Sequence, residues 1–248
     1  MNRLLDCDFL FLPFYKFFIS FGKFEFPAFS STCVTLTILS FDKFLKNQNK
    51  MHPILKRILI YLHLNLIGVW KALQETLFDC HRNLPRDLPS QEGKTLVITG
   101  GNRGIGYEAV KILLSYGFHV ILGVRKPSAL IEKLDKLPKT KGSYEVFELD
   151  LTSFQSVKDF ANNILAKNVK IHVLLNNAGV MFGPRRETEQ GHELQMATNH
   201  LSHFLLTSML LPKLKEAGKA DNYARVVNVS SAAHLAASWM DWTDFQSK

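Results

Sequence analysis

Residues 95–106, Thr-Leu-Val-Ile-Thr-Gly-Gly-Asn-Arg-Gly-Ile-Gly, constrain the fold more than any other stretch of this chain. The apolar, β-branched run up to Thr99 reads as a buried strand, and helical periodicity begins at Gly104. A strand that feeds a glycine turn and then a helix aims main-chain N–H groups and a helix N-terminus at one point, where a pyrophosphate can sit. Each glycine has its own task there: Gly100 permits the tight turn, Gly104 lets phosphates approach the backbone, and Gly106 lets the helix pack close to the strand. The candidate cofactor contacts are therefore Gly100, Asn102, Arg103, Gly104, Ile105 and Gly106.

The pattern then repeats. A helix over 104–117 should bury Ile105, Ala109, Ile112, Leu113 and Tyr116, and strands are expected at 119–124 and 144–151. Thr152 and Gln155 stand at capping-box spacing before a helix that runs to about Asn168. A fourth strand is expected at 171–177, mostly helix over 190–217, and a fifth strand at 224–231. Apolar strands alternating with helices give an α/β fold, a Rossmann-like parallel sheet of about five strands with helices on both faces, over residues 93–248. Where the second strand ends, an Asp or Glu would take the ribose hydroxyl of NAD. This chain has Gly123, Val124, Arg125 and Lys126 instead, with Arg103 as a third cation, so NADP is expected in preference to NAD.

Charge excludes one class of partner. The formal net charge is +8, but residues 1–98 carry 12 cations against 8 anions and residues 99–248 carry 18 against 14, so no basic arm exists and nucleic acid is not expected. Cys7, Cys33 and Cys80 form no C-x-x-C pair and lie near no ligand-spaced His, which speaks against a structural metal. Residues 1–50 hold 11 of the 19 Phe without helical or strand period, and are expected to be an unstructured or non-native leader. Residues 51–92 read as a membrane-associated helix and linker, because Ile54, Ile58, Leu62, Leu66, Val69, Trp70 and Leu73 recur on one face, opposite Lys56, His63, Lys71 and Gln74. The run between Arg57 and Lys71 is short for a span and contains His63 and Asn65, so a membrane-surface helix or weak signal anchor fits best, an amphipathic helix packed on the protein itself being the alternative.

Beyond the glycine loop, Asp150-Leu151 follows the third strand, Asn176-Asn177-Ala178-Gly179 the fourth, Asn199 lies in the next helix, and Ser230-Ser231 ends the fifth strand. With Thr99–Gly106 these five signatures, in register over residues 94–231, resemble the short-chain dehydrogenase/reductase family, in its retinol-dehydrogenase-like branch. The resemblance implies that Asp150 and Leu151 lie at the adenine, and that Asn177, Ala178 and Gly179 line the cofactor while Asn176 helps brace the sheet. It further implies that Asn199 orders a proton-relay water and that Ser231 polarises the substrate oxygen.

The same resemblance implies an NADP-dependent oxidoreductase that interconverts a lipophilic alcohol and its aldehyde or ketone, associated with a membrane such as the endoplasmic reticulum, the cytoplasm being the alternative site. A homodimer is compatible with it. The family's Tyr-x-x-x-Lys, in which Lys lowers the phenol pKa, should follow Ser231, yet no Tyr stands in the 17 residues from there to Lys248. Tyr107 and Lys111 have the spacing but lie on the first helix after the glycine loop, which makes the match a coincidence. His200 and His203 are expected to be packing or surface residues. The expectation is a chain that stops short of its catalytic Tyr and Lys and is itself inactive. A non-catalytic NADP-binding or interaction module is the alternative.

Overall fold

The computed structural model describes residues 52–74, 89–181, 183–220, 222–231 and 244. The leader expected over residues 1–50 lies outside these. The chain divides into two units: the described residues 89–229 belong to the larger, and 52–74, 230, 231 and 244 to the smaller.

In the larger unit the elements run β1 (Thr95–Thr99), α2 (Gly104–Ser115), β2 (His119–Val124), α3 (Pro127–Asp135), β3 (Ser143–Glu148), α4 (Phe154–Ala166) and β4 (Val173–Asn176). There follow α5 (Leu194–Met196), a π turn (Ala197–Leu201), α6 (Ser202–Ala217) and β5 (Arg225–Asn228). Helix α1 (Pro53–Gln74) precedes them in the smaller unit. All strand pairs are parallel, in the order β3-β2-β1-β4-β5. The order reverses between β1 and β4, and the carboxyl ends of those two strands open the crevice in which such sheets hold their ligands.

Alternation along the strands makes two cores. Val97, Ile121 and Leu174 face Val157, Phe160, Ala161 and Ile164 of α4 and Leu206, Leu210 and Leu214 of α6. Leu96, Ile98, Val120, Leu122 and Leu175 face Val110 and Leu114 of α2 and Leu130 and Leu134 of α3. With both faces covered, β1 has no residue left for solvent, which is why its five residues read as an unbroken apolar run. Strand β5 differs: it pairs with β4 alone among the described strands, and its four residues are all exposed.

Several sequence expectations need correction. The buried stripe of α2 is Gly106, Val110 and Leu114, whereas Ile105 and Ile112 are 37% and 39% exposed. The helix is phased by the glycine that packs against the loop, and the apolar residues alone do not reveal that phase. Thr152 is not the cap of α4; Ser153 is, its hydroxyl accepting from Ser156 N, while the Thr152 hydroxyl donates to Asp150 Oδ1. Strand β3 ends at Glu148 and β5 at Asn228, each three residues earlier than the apolar patterns suggest.

Helix α1 belongs to the smaller unit, and its Ile54, Ile58, Leu62, Leu66 and Val69 are between 49% and 68% exposed. No helix among the described residues is long and apolar enough to cross a membrane.

Candidate nucleotide site

Where β1 ends, Gly100 turns with φ +73, and a Cβ there would lie 2.8 Å from that of Ala178, so the position excludes a side chain twice over. Gly100 N donates to Gly123 O at 3.1 Å, which brings together the ends of β1 and β2, the latter followed by Arg125. Helix α2 starts at Gly104 with Arg103 at its N-cap, in extended conformation and without a side-chain cap. Its first N–H groups therefore have no acceptor on the N-cap side chain, and nothing beyond the local backbone lies within 4 Å of where a Gly104 Cβ would be. An uncapped helix start under open space, flanked by the exposed Arg103 and Arg125, fits a doubly charged phosphate bridge. Gly106 closes the far side: a Cβ there would meet Gly100 O and Asn177 Nδ2, both at 2.5 Å. Lys133 of α3 reaches back to the Asn102 carbonyl at 3.5 Å.

The turn after β4 is sewn to β1 by Thr99. Its hydroxyl oxygen accepts from Asn177 N at 3.1 Å and Ala178 N at 3.0 Å, and Asn177 Nδ2 donates to Thr99 O and Gly100 O at 2.9 and 3.2 Å. Asn177 and Ala178 are thereby held against the glycine loop, with Gly179 exposed just beyond. Asn176 points the other way, into the sheet: its amide donates to Thr207 Oγ1 at 3.1 Å and to Asn228 Oδ1 at 2.8 Å. That single side chain joins β4 to α6 and to its register partner on β5.

Asn199 sits at the centre of the π turn, where Ser202 N bonds to Ala197 O five residues back. Its side chain grips Val180 at both polar atoms, Oδ1 accepting from Val180 N at 2.8 Å and Nδ2 donating to Val180 O at 2.9 Å. Widened turns of this kind recur at functional positions, because one extra residue re-aims a side chain without ending the helix. The backbone carbonyl of Asn199 faces His203, whose Nδ1 is 3.3 Å away. Asp150 is half-buried and its Oδ1 accepts from both Thr152 N and Oγ1, which fixes the turn after β3; Leu151 is buried, and its carbonyl accepts from Ser202 Oγ at 2.6 Å.

The larger unit thus gathers the glycine loop, Asn176–Gly179 and Asn199 at the switch point of the sheet. Arg125 and Asp150 follow the ends of the neighbouring strands β2 and β3. Ser231 comes after the end of β5, in the smaller unit. Lys111 does not attend the Tyr107 hydroxyl: it lies over the ring, 5.4 Å from the centroid, and pairs with Glu108. Of the two histidines of α6 and the π turn, His200 is exposed, whereas His203 is buried and its Nε2 lies 2.8 Å from Thr99 Oγ1. Burial holds the His203 pKa below its ordinary value, the nearby His200 adds to this, and the Asn199 carbonyl opposes it. Sequence reasoning did not find this link. The one available sign was a polar residue heading the buried stripe Leu206, Leu210 and Leu214.

Comparison with known proteins agrees with the geometry. Residues 94–241 match the short chain dehydrogenase family. Zebrafish (Danio rerio) polyprenol dehydrogenase is 42% identical over 186 residues, which cover 74% of this chain and 57% of the relative. Human retinol dehydrogenase 11 is 44% identical over 146 residues, covering 57% of this chain and 44% of the relative. The crystal structure of an uncharacterised protein from Mycobacterium paratuberculosis superposes with a TM-score of 0.53 at 38% identity, over 64% of this chain and 54% of that one. The chain spans about half the length of these relatives. A doubly wound sheet, a glycine cradle at its switch point, an Asn clamp on the turn after β4 and a family match over most of the larger unit lead to one assignment: the chain belongs to the short chain dehydrogenase family.

Proposed function

We propose that this chain supplies the NADP-binding part of an oxidoreductase that interconverts a lipophilic alcohol and its aldehyde or ketone. The observation that carries the reading is the start of α2, with no cap from the Arg103 side chain and open space at Gly104. The amides from Gly100 to Gly106 would hold the pyrophosphate, Ile105 standing in the first turn of α2. Arg103 and Arg125, with Lys126, would hold the 2′-phosphate that distinguishes NADP from NAD. Asp150 and Leu151 would flank the adenine, and Asn177, Ala178 and Gly179 the path towards the nicotinamide. When bound, the nicotinamide supplies the hydride chemistry.

What remains for the protein is a proton and a stabilised oxygen. Asn199 is the residue to order a water on the proton path: its side chain is committed to Val180, and its carbonyl, which faces His203 Nδ1, has a second lone pair to offer. Ser231 would donate a hydrogen bond to the substrate oxygen. No Tyr stands between Ser231 and Lys248, so no residue of that stretch is assigned to deliver the proton.

Similarity to polyprenol and retinol dehydrogenases supports a lipophilic substrate, and the exposed apolar residues of α1 support a seat on a membrane surface, the endoplasmic reticulum among the candidates. In this reading residues 51–92 form the membrane-associated segment and 93–248 the cofactor domain, and a homodimer is compatible with it. Calorimetric titration tests the core of it. NADPH should bind the purified chain more tightly than NADH, and Arg125→Ala should abolish the difference. Equal affinity for both cofactors before and after the substitution would remove the case for NADP, and no affinity for either would remove the cofactor.

A further inference from the structure

The Thr99 hydroxyl lies where β1, the turn after β4 and α6 meet, and its hydrogen-bonding capacity is fully used. Asn177 N and Ala178 N both donate to it, and His203 Nε2 lies 2.8 Å away. A hydroxyl offers two lone pairs and one proton. The two amides take the lone pairs, so the proton points at Nε2, which must be the unprotonated nitrogen of the ring. The opposite edge of the imidazole gives the same answer independently. Nδ1 faces the Asn199 carbonyl at 3.3 Å, a group that only accepts, so Nδ1 carries the hydrogen. A charged ring would set a second N–H against a hydroxyl with no lone pair left, in a residue only 5% exposed.

This places a definite chemical requirement on position 203. The side chain must accept on one edge and donate on the other, across the gap between the last residue of β1 and the π turn. A hydrocarbon of the same size fills the space and meets neither demand. We propose that His203, as a neutral imidazole with its hydrogen on Nδ1, is a positioning residue of the nucleotide site. By taking the Thr99 proton it keeps both Thr99 lone pairs aimed at the Asn177–Ala178 turn, and by donating to the Asn199 carbonyl it holds the residue that clamps Val180. Its effect is read at the cofactor and to that extent rests on the reading above; the hydrogen-bond assignment does not.

The test uses the whole 248-residue chain with nitrogen-labelled imidazoles. Long-range proton–nitrogen correlation spectra, assigned with His203→Gln, should show the Nδ1–H neutral tautomer for His203 at pH 7.5. NADPH titrations should show His203→Phe weaker by about tenfold, the loss of one buried hydrogen bond. His203→Gln, whose amide oxygen can reach the Nε2 position, should stay within about threefold of the parent. Thermal unfolding without cofactor should show Thr99→Val and His203→Phe to be non-additive, since each breaks the same contact. An Nε2–H tautomer, a charged ring, additive unfolding effects, or His203→Phe binding NADPH as tightly as the parent overturns the proposal. If the tautomer and the coupling are found but the parent chain binds no NADPH, the hydrogen-bond assignment is upheld and the cofactor reading is what fails.

Discussion

Gly106→Ala tests the cradle at its tightest point. A methyl group there would sit 2.5 Å from both Gly100 O and Asn177 Nδ2, about 0.9 Å inside the 3.4 Å at which ordinary contact begins. Neither neighbour yields freely, because Gly100 is bonded to Gly123 and the Asn177 amide already donates to Thr99 O and Gly100 O. Overpacking of this kind costs about 1–3 kcal/mol, and losing the Asn177 bond to Gly100 about 1 more. Replacing glycine by alanine in a helix returns at most about 1 kcal/mol, so the net loss is about 1–3 kcal/mol. For a domain of this size that lowers Tm by roughly 3–10 °C. The same movement draws the start of α2 away from the phosphates, and the loss of one charge-assisted hydrogen bond weakens NADPH by tenfold or more. Gly183→Ala is the control, because nothing lies within 4 Å of its Cβ and its φ is not positive. Calorimetric unfolding and NADPH titration of the two variants decide the matter. If Gly106→Ala melted within a degree of the parent and bound NADPH equally well, the close approach of helix and loop would not be what shapes the site.

Three further outcomes are expected. His203 has a pKa held below its ordinary 6.5, so the unfolded chain takes up a proton there before the native state does. Stability is therefore complete above pH 6.5 and falls as the pH drops from there towards the depressed native value, with a slope of at most about 1.4 kcal/mol per pH unit. His172, lowered by burial and then by Lys94 and Lys170, acts in the same direction, and urea unfolding at pH 7.5 and 5.5 should show the slope reduced in His203→Gln and His172→Gln. Asn176→Ala removes the bonds to Thr207 and Asn228 and should cost about 2–3 kcal/mol in urea unfolding; a loss under 0.5 kcal/mol would mean that β5 docks without that clamp. Ile58→Glu with Leu66→Glu, on the exposed face of α1, should reduce flotation with vesicles containing anionic lipid, and unchanged flotation would place membrane contact elsewhere.

The strand-turn-helix text of residues 95–106 was legible because its requirements are local: apolar residues for a strand covered on both faces, and glycine where the backbone itself is the ligand. That five strands run parallel followed from their alternation with helices. Less legible was anything set by a partner distant in sequence. Gly106 fixes the phase of α2 through Gly100 and Asn177, so Ile105 and Ile112 of the expected face are exposed while Leu113 still packs on the core. Ser153 and Thr152 are both competent caps, and Asp150 decides between them by engaging Thr152. His203 offered only its polarity on an apolar stripe; its meaning depends on a threonine 104 positions earlier.

The π turn at Ala197–Leu201 has a consequence for how this protein can vary. In an α-helix each residue advances the azimuth by about 100°. Deleting one residue between Ala197 and Leu201 would let the helix wind normally, and the backbone would lose nothing by it. The turns on either side would keep their phase, because the π turn absorbs the extra residue locally, but the residues from Ala197 to Leu201 would be re-aimed and Asn199 would lose its grip on Val180. The site is thus encoded partly as one residue more than a regular helix needs, and a deletion that makes the helix more regular would undo it.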